Sequence, residues 1–340
     1  MKAVIKYFPF VFVPFLVLSC RAITPDRYGE PSYTEILEEV WSAINDRYVN
    51  FCNMDVNWDE ILLKYRKEIK DDMNQTEFMG ILDDMIESLR DQHLTIKAGD
   101  TGWELGYNPK IEGNYDSEII SSYLSSGKLA GGLHYTILPN TNIGYVYYGS
   151  FKVEVSEDDL REVFNSFRNC DGIVFDIRSN GGGNYGNVIS ILRFLPCHRE
   201  PIFKNYARKE GGRNSLKFLN IETCPSSKIQ PYDKPFVILI GGQSYSSSSL
   251  FAIAASQCTN VTLVGSKTSG GTCVPETVEL SNGWVCSIPI IKKMTINEGD
   301  YENGVTPDYE VMLDSTCVKN GIDNIIQFSC DLIASQQVIK

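Results

Sequence analysis

The chain has 340 residues, with ordinary apolar (43%) and charged (22%) fractions and a formal net charge of −12 at pH 7. That length allows one large or two modest domains with a sizeable core. The acidic balance excludes nucleic acid as a partner, since phosphate binding needs a basic face. Three histidines (His93, His134, His198), no Walker-type loop, no His-Glu-x-x-His and no Cys-x-x-Cys leave no His-rich metal site and imply no cofactor.

The N-terminus reads as a targeting segment. Lys2 and Lys6 flank an apolar stretch from Val4 to Leu18, too short for a comfortable membrane span. It closes on Val17-Leu18-Ser19-Cys20, which resembles the lipobox of bacterial lipoproteins, whose Cys becomes the lipid-bearing first residue. The expectation is a signal peptide over 1–20, lipidation at Cys20, a polar tether over 21–31, and a chain held on the bacterial envelope facing periplasm or exterior. Export implies an oxidising compartment. Nine further cysteines, an odd number, leave at least one unpaired, and burial as small apolar residues is a live alternative to disulfides.

A capping box, Ser32-x-x-Glu35, followed by Ile36, Val40 and Ile44 on one face predicts a helix. Two more are predicted over 58–71 (Ile61, Leu62, Tyr65, Ile69) and 76–90 (Phe78, Ile81, Met85, Leu89). Residues 32–92 thus read as a small N-terminal helical domain, and 93–340 as the remainder. Residues 98–140, rich in Gly, Asn, Ser and Tyr, read as loops and an irregular meander. Strands are then predicted at 143–148, 172–177, 235–241 and 261–266, with helices at 156–168, 185–195 and 246–257. This alternation predicts an α/β fold, a mostly parallel or mixed sheet flanked by helices. Ser281-Asn282-Gly283 signals a hairpin between Val278–Leu280 and Trp284–Pro289. A short strand at Tyr309–Leu313 and a helix at 322–335 close the chain.

Two strand-to-helix turns carry the chemistry. Asp176-Ile177-Arg178-Ser179-Asn180-Gly181-Gly182-Gly183 follows Ile173-Val174-Phe175, and Gly241-Gly242-Gln243-Ser244-Tyr245-Ser246-Ser247-Ser248-Ser249 lies between Phe236–Ile240 and Leu250–Ala255. Such turns expose backbone N–H groups at a positive helix end, and in an open α/β sheet they gather beyond the carboxyl ends of the strands. Ser246 with the Ser247 N–H reads as a nucleophile beside an oxyanion donor. His93, in Asp91-Gln92-His93-Leu94 at the boundary of the two regions, is the candidate base. His134 and His198 read as structural or surface residues. For a third, orienting group, spacing alone does not choose among Glu298, Asp300 and Glu302.

At these residues the chain resembles the C-terminal-processing (tail-specific) serine peptidases, more closely their tricorn-core and interphotoreceptor-retinoid-binding-protein-like branch. The likeness rests on four ordered blocks between about 33 and 313: Asp91-Gln92-His93, Asp176 to Gly183, Ser244-Tyr245-Ser246-Ser247-Ser248, and Val264 to Gly271 with Glu302-Asn303-Gly304-Val305-Thr306-Pro307-Asp308. The resemblance implies a crotonase-like ββα spiral, Ser246 as nucleophile, and backbone N–H groups of Gly182 and Ser247 as the oxyanion hole. One branch uses a Lys base in a Gly-Lys-Gly where this chain has Gly270-Gly271-Thr272, and Lys267 is at the wrong step. The tricorn branch uses His with Glu, matched here by His93 and Glu302. The acidic residue usual after the Ser block is Ser249. Some fifty residues between His93 and the strand at 143 are too few for an inserted PDZ domain. The reading is a lipid-anchored serine peptidase acting on peptides or proteins. An inactive peptide- or lipid-binding module, or an esterase or amidase on the same triad, is the alternative.

Overall fold

The computed structural model describes residues 31–196, 200–225 and 228–337. The signal segment, Cys20, the tether through residue 30 and His198 lie outside the described residues.

Helices α1 (Tyr33–Arg47), α2 (Trp58–Arg66) and α3 (Gln75–Glu87) come first. The Ser32–Glu35 capping box forms as the sequence predicts, and Asn57 and Asn74 cap the next two helices. Helix α2 stops short of the predicted 71 because Lys67 and Glu68 turn their N–H groups to Lys64 and Tyr65, three residues back, tightening the last turn.

Strands β1 (Thr95–Lys97) and β2 (Glu104–Leu105), helix α4 (Ser117–Tyr123), and strands β3 (Lys128–Ala130) and β4 (Leu133–Ile137) fill the stretch that reads as loops. Asp116 caps α4 through Glu118 and Ile119, a local signal that the weak apolar periodicity conceals. Then follow β5 (Ile143–Tyr147), α5 (Glu157–Ser166), β6 (Gly172–Asp176), α6 (Tyr185–Leu192), β7 (Pro201–Lys209), β8 (Gly212–Thr223), β9 (Phe236–Ile240), α7 (Ser247–Ala255) and β10 (Val261–Gly265). The chain ends with β11 (Val274–Glu279), β12 (Val285–Met294), β13 (Tyr309–Glu310), α8 (Ser315–Lys319) and α9 (Asn324–Gln337).

One sheet runs in the order β13-β10-β9-β6-β5-β4-β3, parallel from β13 to β5 and antiparallel beyond. Its central strands β6 and β9 are buried along their whole length, which is why they read as unbroken apolar runs. Helices α5, α6 and α7 pack on one face around Phe175, Phe236, Ile238 and Phe251. Helix α9 covers the other, with Ile325, Ile326 and Ile333 against Tyr145, Val174 and Val237.

A second, antiparallel sheet, β2-β1-β12-β7-β8 with β11 on β12, was not foreseen beyond its Ser281–Gly283 hairpin. It shares one core with the N-terminal helices: Val40, Trp58, Phe78 and Met85 meet Ile96, Leu105, Trp284, Cys286 and Ile288. The helices of 33–87 therefore bury their apolar stripes against strands more than 170 residues away in sequence as well as against one another.

The Asp-Ile-Arg block turns out to be a clamp. Arg178 is fully buried; its guanidinium meets Asp176 at 2.6 Å, Asp323 at 2.8 Å and the Asn114 carbonyl at 3.1 Å. Tyr145 donates to Asp176 at 2.8 Å, and Asp323 accepts the N–H groups of Ile325 and Ile326 at the start of α9. The end of β6 is thereby tied to α9 and to the loop at Asn114. Arg178→Met would leave two buried carboxylates without a cation and should destabilise the fold by about 3–5 kcal/mol in urea denaturation. Arg161→Met, which breaks an exposed pair with Glu157, should leave the midpoint nearly unchanged.

Candidate active site

The carboxyl ends of β6, β9 and β10 lie side by side, and the three turns that leave them interlock. Four serines of the run make different contacts. Ser244 donates to the Ile177 carbonyl at 2.8 Å and accepts the Gly241 N–H, pinning the β9 turn to the end of β6. Ser249 donates to the Ser244 carbonyl at 3.1 Å and shares a hydroxyl–hydroxyl contact of 3.1 Å with Thr268, which ties α7 to the turn after β10. A hydroxyl thus bonds to the β10 turn at the position where the resemblance leads one to expect an acid. Ser247 donates to the Gly183 carbonyl at 2.7 Å. All three are buried, whereas Ser246 remains partly open.

Ser246 is the N-cap of α7 and has φ 56° and ψ −124°, a left-handed backbone that a residue with a β-carbon rarely adopts. Its N–H donates to the Gly270 carbonyl at 2.8 Å, and the Tyr245 N–H to the Asn180 carbonyl at 3.2 Å. These bonds hold the hydroxyl where it meets His93: Ser246 Oγ and His93 Nε2 are 3.0 Å apart, between residues 153 positions apart in the chain. His93 is brought there by the segment between α3 and β1, where its own N–H donates to Asp91 Oδ1 at 2.8 Å. The Tyr245 ring lies over the imidazole, centroids 4.8 Å apart.

Tyr245 also explains the missing lysine. Gly271 has φ 68°, and a β-carbon there would fall 2.2 Å from the Tyr245 ring. The space that a side chain from this turn would need is filled by Tyr245. Lys267 points to solvent.

The three acidic candidates separate cleanly. Glu298 is exposed and pairs with Lys204, and Asp300 pairs with the buried Lys292 at 2.6 Å. Glu302 reaches the site, with ligand atoms of Asp91, His93 and Glu302 all within 4.8 Å of one another. Glu302 makes no hydrogen bond to His93, however. Its Oε2 accepts from the Thr272 N–H (2.8 Å), the Thr272 hydroxyl (2.9 Å) and the Cys273 N–H (3.0 Å). His93 Nδ1 is buried and finds no acceptor among the described residues. Catalytic hydrogen bonds are often long before substrate arrives.

The oxyanion donors differ from each other. The Ser247 N–H, first in α7, points out of the helix end with no acceptor among the described residues. Gly182, at φ 93°, packs so closely on Ser246 that a β-carbon would lie 2.8 Å from that of the serine. Its N–H already donates to Asn180 Oδ1 at 2.9 Å. That amide also accepts the Phe151 N–H and donates to the Tyr148 carbonyl, so it braces the glycine turn from below. Asn180 and Asp91 are among the block residues to which motif reading gave no role. His134 is exposed on β4, away from these turns.

Burial holds His93 below its ordinary value, opposed by the Asp91 carboxylate, so the imidazole is neutral and free to accept a proton near pH 7. Burial and the Asp91 charge push Glu302 up to about 7, against its Thr272 and Cys273 hydrogen bonds. A carboxyl raised in this way favours the folded chain fully below its unfolded value of 4.5, and that contribution is lost as pH rises through about 7. Glu302→Gln removes this dependence while leaving an oxygen for Thr272. Its stability relative to the unsubstituted chain should therefore improve between pH 5 and pH 8, by roughly 1–3 kcal/mol, in paired thermal melts. An offset that stays constant with pH would contradict the assignment.

Comparison with known proteins places the chain. The profile of peptidase family S41 matches residues 142–311, and that of the Tricorn protease C1 domain matches residues 30–87. A solved structure from Parabacteroides merdae, described as that of a candidate peptidase, is 31% identical and superposes with a TM-score of 0.83 over 89% of this chain and 97% of that one. A carboxyl-terminal-processing protease of Synechocystis sp. is 28% identical over 177 residues, 50% of this chain and 38% of that protein. This chain thus matches little more than a third of that curated relative's length. The tricorn protease structure, 16% identical with a TM-score of 0.57 over 90% of this chain and 37% of that one, is alike in fold alone.

Proposed function

This chain belongs to peptidase family S41, and from that premise we propose that it is a serine-type endopeptidase working through Ser246, His93 and Glu302. The observation that carries the reading is the 3.0 Å contact between His93 Nε2 and the hydroxyl of a serine held at left-handed φ on a helix N-terminus. Ser246 Oγ attacks the carbonyl carbon of a peptide bond as its proton passes to Nε2. The carbonyl oxygen, now anionic, accepts the Ser247 N–H, with the Gly182 N–H shared between it and Asn180. Collapse of the tetrahedral adduct breaks the C–N bond, and the leaving amine takes the proton from Nε2. Water then enters by the same base and frees the acid and the serine. Glu302 stabilises the imidazolium from within its cradle of Thr272 and Cys273 donors.

Peptides or proteins are the substrate class. The Val17-Leu18-Ser19-Cys20 motif supports a lipid anchor at Cys20 and a place on the bacterial envelope, facing periplasm or exterior.

Two observations favour a second reading, a binding module without turnover: the Gly182 N–H is already engaged, and Glu302 makes no bond to His93. A fluorophosphonate probe on the full-length protein separates the two. The peptidase reading expects an adduct on Ser246 by mass spectrometry, absent in Ser246→Ala and slowed on the order of 1,000-fold or more in His93→Ala. A folded protein that takes no label would establish the binding module instead.

A further inference from the structure

His93 is faced by more charge than a triad supplies. Asp91 is buried; its Oδ1 accepts the His93 backbone N–H at 2.8 Å, and its Oδ2 accepts the Tyr48 hydroxyl at 2.8 Å and the Asn50 amide at 3.4 Å. The Asn50 oxygen in turn accepts from Lys292 at 3.2 Å and from the Cys273 thiol at 3.3 Å. Two donors on the oxygen fix the orientation of that amide, so its NH2 is turned toward Asp91. Tyr48 comes from the end of α1, Lys292 from β12, Cys273 from the turn before β11, Glu302 and Asp300 from the turn before β13, and Tyr245 from the elbow. Arg90, next to Asp91, is exposed, and with Asp91, Tyr245, Gly271, Glu302 and Asn303 it lines a polar cavity of about 100 Å³ beside the imidazole.

We propose that Asp91 is a positioning residue of the same reaction: its carboxylate, within 4.8 Å of the imidazole, holds the His93 backbone in place and offsets the positive charge that His93 acquires when Ser246 attacks. The proposal rests on the peptidase reading of the site. Its physical basis is the charge count. Asp91, Glu302 and Asp300 gather near the imidazole, Arg90 is exposed, and the buried cation, Lys292, is already paired with Asp300. The cluster is short of positive charge until the imidazole is protonated, and in a buried site that attraction is weakly screened. Neither carboxylate hydrogen-bonds Nδ1, since Glu302 Oε2 accepts three donors and both Asp91 oxygens are engaged, so each acts on the imidazole through its charge. Of the charges around His93, it is Asp91 that opposes the effect of burial on the imidazole, and Asp91 is likewise the main charge acting on Glu302.

Asp91→Asn tests this: the amide oxygen can still accept the His93 N–H, while the charge and the acceptor that Tyr48 and Asn50 share are lost. Two readouts are taken on full-length protein: the His93 imidazole titration by NMR, and the pH dependence of Ser246 acylation by the fluorophosphonate. The expected result is a His93 midpoint lowered by about one pH unit or more, with the acid limb of acylation moving down alongside it and the plateau rate falling about 10-fold or more. A midpoint and limb coincident with those of the unsubstituted protein would reduce Asp91 to a turn cap and overturn the proposal. Should Asp91→Asn fail to fold, Glu302→Gln decides. With Asp91 intact its His93 midpoint should stay within about half a unit of the original, and a fall of a full unit would assign the field to Glu302 alone. If the unsubstituted protein takes no label, the peptidase reading fails, while the NMR titration still decides whether Asp91 sets the charge state of His93.

Discussion

A serine with a left-handed backbone is the constraint around which this molecule is arranged. Holding Ser246 at φ 56° costs on the order of 1–3 kcal/mol, and such a conformation persists only where its surroundings over-determine it. They do so here through bonds from its own turn to the other two: to Gly270 after β10, and to Asn180 and, through Ser244, Ile177 after β6. The same bonds that stabilise the strain aim the hydroxyl at His93 and leave the Ser247 N–H facing outward. The run of serines is therefore no flexible linker. Small hydroxyl side chains are needed because they replace backbone partners in a crowded turn without filling the cleft.

Charge is handled in opposite ways at the two acidic blocks. Around Arg178 the carboxylates of Asp176 and Asp323 enclose a cation, and every group is committed to holding β6 against α9. Around His93 the carboxylates outnumber the cations, and the group that can supply the missing charge is the base itself. The first cluster is closed and structural. The second is open, because its positive partner is present only while a proton sits on the imidazole. Burial strengthens both, and the difference lies in whether the positive partner is permanent.

The proposed base and nucleophile belong to different layers. Ser246 rides on the parallel sheet, whose core is built by α5, α6 and α7. His93 enters from the segment joining α3 to β1, whose position is set by the core that the N-terminal helices share with the antiparallel sheet. The 3.0 Å contact between them thus reports how the two cores meet. Changes in the N-terminal helices, though far from any chemistry in the chain, act on the catalytic distance.

The sequence by itself determined what is local. Capping boxes, apolar runs and glycine turns depend on neighbours a few residues apart, so α1, α3, β6, β9, α7 and both informative turns could be read directly from it. So could the exclusion of a side-chain base from the Gly270-Gly271-Thr272 turn, because that turn carries no lysine. Only the tertiary structure decided what is non-local. The antiparallel sheet escaped notice because β7 and β8 lie partly exposed and carry mixed residues, and β1 and β2 are too short to leave a period. The choice of Glu302 over Glu298 and Asp300 could not come from spacing, since all three share one acidic turn and differ only in which cation or donor folding sets beside them. The engagement of the Gly182 N–H by Asn180, the filling of the lysine's place by Tyr245, and the approach of Asp91 to His93 and Glu302 are likewise distances through space. Chain order alone does not encode them.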